Sequence, residues 1–323
     1  MTHLLLAILC GSLFCIILKL CQKGDTMQAV FVNYLTAVTA TFLPQLISHN
    51  FPVNPFAESW IGFSVLQGFF FMAGFLVMSY SISLSGMALT TAASRASLIV
   101  PVICGWLLLN QPAPSWIPVI LVVVALLMFS LGEKPAMKKG KNAAENKKKF
   151  MKKEKNAVEK GKADADNKKS TAGVLFLFVV FLFYGASDFS LKYIQQRISD
   201  QYTAAGAEVV DQQLAALAGT IFLMAMLLTL LAILLRSIKQ PFRLSWKSVG
   251  LGVALGLANL GCTRSVLNGL LTLDTGTFYP LYNVGIILVT TLIGILFFKE
   301  KLRPVQYAGL AISILAIVLF FRL

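Results

Sequence analysis

The sequence predicts an all-α polytopic membrane protein: ten transmembrane helices arranged as two inverted five-helix repeats. Three observations carry that expectation. The first is composition: of 323 residues, 57% are hydrophobic and only 13% charged. An average soluble chain is roughly 45–50% apolar and about 25% charged, and a soluble protein of this size would need more charge to cover its surface. The second is periodic length: apolar runs recur at about 20 residues, the length needed to cross a ~30 Å hydrocarbon core. The third is duplication: the runs fall into two blocks of five that resemble each other across one hydrophilic stretch.

The runs lie at approximately 3–21, 27–47, 60–82, 86–109, 116–132, 173–194, 213–235, 248–270, 276–298 and 304–321. The first has no cationic start and no Ala-x-Ala type exit, so it reads as a retained span rather than a signal peptide. Gly252, Gly256 and Gly261 sit at spacings that let membrane helices approach closely. Pro112, Pro114, Pro241 and Pro304 separate runs, where a missing backbone donor costs little. Pro101 and Pro280 lie inside runs and predict kinks, the freed carbonyls being satisfied by neighbouring helices or water. Three regions result: a first five-helix unit over 1–132, a Lys-rich hydrophilic linker over 133–172, and a second five-helix unit over 173–323. The linker composition predicts a solvated, largely disordered segment with some helix around 150–160.

The internal repeat is visible in particular segments. Trp106-Leu107-Leu108-Leu109-Asn110-Gln111-Pro112 closes the fourth run, and Gly294-Ile295-Leu296-Phe297-Phe298-Lys299-Glu300-Lys301 closes the ninth, 189 residues later. Ile17-Leu18-Lys19-Leu20 in the first run matches Ser190-Leu191-Lys192-Tyr193 in the sixth. Five is an odd number, so the second copy must enter the membrane from the opposite side. Halves related in this way enclose a central cavity that closes toward either face in turn.

These features resemble the drug/metabolite transporter superfamily, and within it the EamA-like proteins. The segment Leu273-Asp274-Thr275 through Phe298-Lys299-Glu300-Lys301-Leu302 and Tyr307-Ala308-Gly309-Leu310 is similar to that family's closing pair, a Pro-bearing span, a Glu at its exit and a Gly-containing last span. Thr91-Ala92-Ala93-Ser94-Arg95-Ala96-Ser97-Leu98-Ile99-Val100-Pro101 resembles the matching piece of the first half. One departure is clear: Asn110-Gln111 stands where the family usually shows a Gly-Glu-like pair, so any role of that acid is lost there. The resemblance implies substrate-driven or ion-coupled carriage of metabolites, often efflux of amino acids or similar small solutes, with no substrate fixed.

The formal charge of +14 is uneven: residues 133–169 hold 14 Lys against 6 acids, so +8 of it sits in the linker. That pattern does not suit a nucleic-acid surface; it suits attraction to anionic lipid headgroups, worth about 1 kcal/mol per basic residue near the surface. Lys23, the linker, the group Arg236, Lys239, Arg243 and Lys247, and the group Lys299, Lys301 and Arg303 all fall on one side of a ten-span chain. Basic residues gather on the cytoplasmic side, which places the linker in the cytoplasm and both termini outside; short loops and the absence of sorting signals lead to the expectation of a bacterial inner membrane. Many proteins of the resembled family have both termini inside, so the two arguments disagree on orientation.

Ionisable residues at membrane depth cost at least ~2.5–3.5 kcal/mol on insertion scales and usually line a cavity. Lys19, Arg95, Asp188, Lys192 and Arg264 are the candidates. Arg95 lies near mid-depth, facing either substrate and water or a structural partner. Lys19 is close enough to a helix end to snorkel, yet has Lys192 as its repeat counterpart. Asp188 and Lys192, four apart on one helix face, either pair with each other or leave Asp188 to take a coupling proton when substrate engages Lys192. Four cations against one acid favour an anionic or zwitterionic solute, and guanidinium suits planar anions. Asn33, Asn259, Asn283 and Tyr282, with Tyr34, Gln67, Tyr80 and Thr263, are polar side chains able either to complete such a site or to glue helices together.

The expected protein is thus a secondary transporter of a small metabolite working by alternating access, not an enzyme, with a proton or cation as a candidate coupling ion. It needs no cofactor: no Walker A sequence or other phosphate cradle is present. Cys10, Cys15, Cys21, Cys104 and Cys262 form no CxxC pair and read as small buried apolar side chains, with no metal site. Partners are the substrate and the bilayer, with no nucleic acid, the chain acting as a monomer or homodimer. The rival readings are a broad-specificity exporter of hydrophobic compounds with structural charges, and a membrane scaffold or sensor signalling through the linker. An intramembrane enzyme would need paired acids or a Ser/His set that the spans do not offer.

Overall fold

The computed structural model describes residues 1–21, 26–49, 52–85, 87–132, 155–237, 245–298, 303–320 and 322. Eleven α-helices follow one another, with no strand among the described residues: α1 (Thr2–Cys21), α2 (Thr26–Ile47), α3 (Ile61–Ser85), α4 (Met87–Ala96), α5 (Ile99–Leu108), α6 (Trp116–Gly132), α7 (Lys155–Tyr202), α8 (Ala207–Ser237), α9 (Trp246–Thr272), α10 (Thr275–Phe298) and α11 (Pro304–Phe320). Six stretches among the described residues are long and apolar enough to cross a membrane, in α2, α3, α7, α8, α9 and α10. Shorter apolar helices occupy Thr2–Leu18, Ala93–Leu108, Trp116–Met128 and Pro304–Phe320.

Helix faces follow the sequence pattern. On α1, Leu4, Ala7 and Gly11 are buried, while Leu5, Leu9 and Leu13 are at least half exposed on the opposite side. Leucine facing out is expected where the surroundings are lipid: lipid offers no hydrophobic drive, so packing and small residues bring helices together. α1 runs along α9, α3 along α7, α2 against both α8 and α9, α3 against α8, and α6 against α11. α1 also meets α10, as α4 and α5 meet α7. Glycine sets two of the closest crossings. A Cβ on Gly256 would stand 2.5 Å from the Asn33 carbonyl oxygen of α2, and one on Gly68 would stand 2.6 Å from Met224 Cβ of α8.

Three elements differ from the sequence-based expectation. The fourth run is not one kinked helix but two, α4 and α5, divided at Ser97–Leu98. Pro101 has no N–H to give the Ser97 carbonyl, which instead takes Val100 N–H at 2.9 Å in a tighter turn. Of the linker, residues 133–154 lie outside the described residues; helix over 155–160 agrees with the expectation, but it continues through 161–172 as the first turns of the 48-residue α7. The seventh run begins earlier than expected, at Ala207, so Asp211 stands inside α8 and not in a loop.

The chain alternates between two ends of the bundle. At one end, the segment before α3 is tied to the end of α7 and the start of α8: Tyr202 Oη donates to Glu58 Oε2 at 2.5 Å, Gln213 Nε2 to Glu58 Oε1 at 2.9 Å, and buried Trp60 Nε1 to Gln213 Oε1 at 3.0 Å. At the other end, Ser245 N–H, ahead of α9, donates to Gln28 Oε1 near the start of α2 at 3.1 Å.

Candidate functional site

Arg95 occupies the last turn of α4, immediately before the break. A cation is favourable there, where helix carbonyls lose their partners. Its side chain turns inward and meets two other helices. Nη1 donates to Asn283 Oδ1 of α10 at 3.0 Å, and Nη2 contacts Cys15 Sγ of α1 at 3.5 Å. Asn283 is itself fixed, its Nδ2 donating to the Tyr279 carbonyl at 3.0 Å. A guanidinium carries five N–H donors, so donors remain for a ligand.

Other polar groups converge on the same place. Asp188 of α7 lies within Coulombic range of Arg95. Its carboxylate accepts no hydrogen bond and forms no ion pair among the described residues; only its backbone carbonyl is used, by Tyr279 Oη at 2.8 Å. Tyr282 Oη and Cys262 Sγ are 3.1 Å apart. Tyr184 Oη donates to the Gly74 carbonyl at 3.3 Å. Gln67 Nε2 donates to Ser187 Oγ at 3.0 Å, while Gln67 Oε1 is buried with no partner among the described residues. Arg95, Cys15, Tyr184, Asp188, Cys262 and Tyr282 each keep partial accessibility, although their bonds and neighbours place them between helices rather than on the outer face.

The remaining predicted residues have different surroundings. Lys192 does not pair with Asp188. Its Nζ donates to Gln195 Oε1 and to the Leu270 carbonyl, each at 2.9 Å. Leu270 is in the last turn of α9, so the ammonium satisfies a carbonyl that the helix leaves orphaned. Arg264 forms an ion pair with Asp211 at 3.1 Å, the two side chains 43% and 50% exposed. Asn268 Nδ2 joins the same carboxylate at 2.9 Å. Asn33 and Asn259 bond to each other at 3.2 Å and link α2 to α9, with Asn259 one turn from Cys262. Lys19 lies on α1, but its side chain is outside the described residues.

The charge balance of the site changes accordingly. Four cations against one acid becomes, for the side chains described, one guanidinium and one carboxylate not engaged with each other. Sequence reasoning missed Cys15, Tyr184, Tyr279 and Ser187. It also missed the task of Gln111, whose side-chain carbonyl accepts Thr275 N–H at 2.9 Å and so caps α10. A signal for one contact was present: Arg95 and Asn283 are separated by 188 residues, within one residue of the repeat offset.

No family model matches the chain. It is 25% identical over 336 aligned residues to an uncharacterised protein of Haemophilus influenzae, covering all of this chain and 98% of that one. A solved crystal structure, 11% identical, superposes with a TM-score of 0.66 over 98% of this chain and 93% of its own. That likeness concerns the fold alone.

Proposed function

We propose that the protein is a secondary transporter of a small anionic or zwitterionic metabolite, working by alternating access between two inverted five-helix halves. The carrying observation is Arg95: a guanidinium held between α4, α10 and α1, partly accessible, with donors to spare and with Asp188 nearby, its carboxylate without a hydrogen-bond partner among the described residues. Such a pair of opposite charges suits the two poles of a zwitterion, the carboxylate forking onto Arg95 and the ammonium facing Asp188. Tyr184 and Tyr282 offer apolar ring surface beside polar tips. Asp188, freed of a ligand's ammonium, is the group able to exchange a proton with water, which makes it the coupling candidate.

The packing supports the duplicated architecture. Exchanging α1 with α7, α2 with α8, α3 with α9, α4 and α5 with α10, and α6 with α11 maps the principal helix pairs onto one another. Gly68 and Gly256, at the equivalent crossings, are also 188 residues apart. Arg95 and Asn283 would then be equivalent positions meeting on the pseudo-two-fold axis, where a cavity shared by both halves belongs. The uneven distribution of Lys and Arg supports a cytoplasmic linker and outside termini.

The reading is tested by a thermal-shift screen of the purified protein against amino acids, organic acids and phosphorylated solutes, followed by uptake of the best stabiliser into proteoliposomes. Stabilisation by a carboxylate-bearing compound, lost in Arg95→Ala at unchanged fold, is the expected result. Transport that survives Arg95→Ala at the wild-type rate sinks the assignment.

A further inference from the structure

The end of the bundle that carries the segments before α3, before α6 and before α10 has a fastening between the two halves. Gln111 Oε1 accepts both the N–H and the Oγ–H of Thr275, at 2.9 and 2.7 Å. Asn110 adopts a left-handed backbone, φ 51°, which asparagine tolerates and which turns the chain back over the end of α5. Gln111 N–H then donates to the Gly105 carbonyl at 3.3 Å. Gly105 is obligatory in this arrangement: a Cβ there would stand 2.2 Å from Thr275 Oγ1 and 3.0 Å from Gln111 Oε1. So the Asn110-Gln111 pair makes a neutral fastening.

The other end of α5 is the break at Ser97–Leu98, one turn from Arg95. α5 is thus a ten-residue rigid piece with a discontinuity at the site and a largely buried hydrogen-bonded fastening at the bundle end. It packs on α7 and α10, the helices that bear Asp188 and Asn283. We infer that α5 is a gate: release of Gln111 from Thr275 lets α5 pivot about Ser97–Leu98 and opens the Arg95 site to the end opposite the Lys-rich stretch. The inference rests on the transport reading for its purpose but not for its test. A hinge formed by a few element-terminal residues, with a rigid element beyond it, is a usual construction for such closures.

The reporter is Cys15, which touches Arg95 and keeps partial accessibility. Full-length protein in sealed vesicles of each orientation is exposed to a membrane-impermeant maleimide, and the modification rate of Cys15 is read by peptide mass spectrometry. Gln111→Ala, which removes the fastening, and Gly105→Ala, which wedges it apart, should each raise the rate from the gated side at least five-fold. Thr275→Val, which keeps shape and loses one bond, should raise it less. Elution volume and melting temperature report folding; if Gly105→Ala does not fold, Gln111→Ala decides. Unchanged Cys15 labelling from that side in folded Gln111→Ala overturns the gate. Because no substrate takes part, that failure leaves the Arg95 assignment standing, and loss of the Arg95 assignment in turn leaves a labelling increase to be explained by α5.

Discussion

The fourth and ninth apolar runs contain one proline each and supply the two residues, Arg95 and Asn283, that meet inside the bundle. One run is broken into α4 and α5; the other is the continuous α10. Proline position explains the difference. Pro280 is the sixth residue of α10, so the carbonyl deprived of its donor is Gly276, in a first turn whose N–H groups are capped by Asp274 and Gln111. Pro101 lies in mid-run, where the deprived carbonyl is Ser97 and the chain answers with a tight turn. Proline costs no hydrogen bond only in a helix's first turn, and about 3 kcal/mol or more in the interior. Pro280 stands just beyond the first turn and forfeits one bond near a capped end, whereas Pro101 falls in the middle of its run, where the helix yields. Two apolar runs with one proline each thus become, respectively, a jointed and an unjointed rod.

The largest effect that bears on this comparison is expected at the residue next to the joint. Arg95→Ala should weaken the thermal-shift response to a carboxylate ligand by at least roughly 10- to 150-fold in apparent affinity, the worth of a single one of the two charge-assisted hydrogen bonds in the fork. Arg95→Lys should recover little of it, because an ammonium cannot fork onto a carboxylate. Asn283→Leu, on the unjointed rod, removes the acceptor for Arg95 and should cost less than Arg95→Ala in the same assay. Next comes Gly105→Ala, where overpacking against Thr275 should disfavour the fastened state by about 1–3 kcal/mol; differential labelling of Cys15 from the two faces measures it. The paired prolines give a sharper contrast. Pro101→Ala should slow transport several-fold by letting α4 and α5 join, while Pro280→Ala should leave the rate within a factor of two; equal effects in a proteoliposome flux assay would remove the distinction drawn between the runs. Asp188→Asn should flatten the dependence of flux on an imposed pH gradient without abolishing binding. The smallest change is expected for Cys15→Ser, no more than about 0.5 kcal/mol in ligand affinity by titration, since a thiol sulfur is a weak acceptor.

The positions of the helices were legible because each apolar run is bounded by polar, proline or charged residues: α2, α10 and α11 begin within a residue of the expected starts and α9 within two. The site was legible only in part. Arg95 stood out because a guanidinium at mid-span must find partners. Lys192 and Arg264 stood out for the same reason, yet their partners, the Leu270 carbonyl and Asp211, lie on other helices at positions that no local pattern marks. Cys15 and Tyr184 read as ordinary apolar residues until α4 and α3 are placed against them.

What the sequence alone determined is what depends on consecutive residues: an apolar helical chain, its approximate helix ends, the uneven charge, and the close crossings that glycine permits. What only the tertiary structure decided is which buried charges are already spent and which are left for a ligand. The physical reason is that a polar group in a low-dielectric interior is defined by its nearest partner, and in this protein those partners come from helices as distant as α4 and α10.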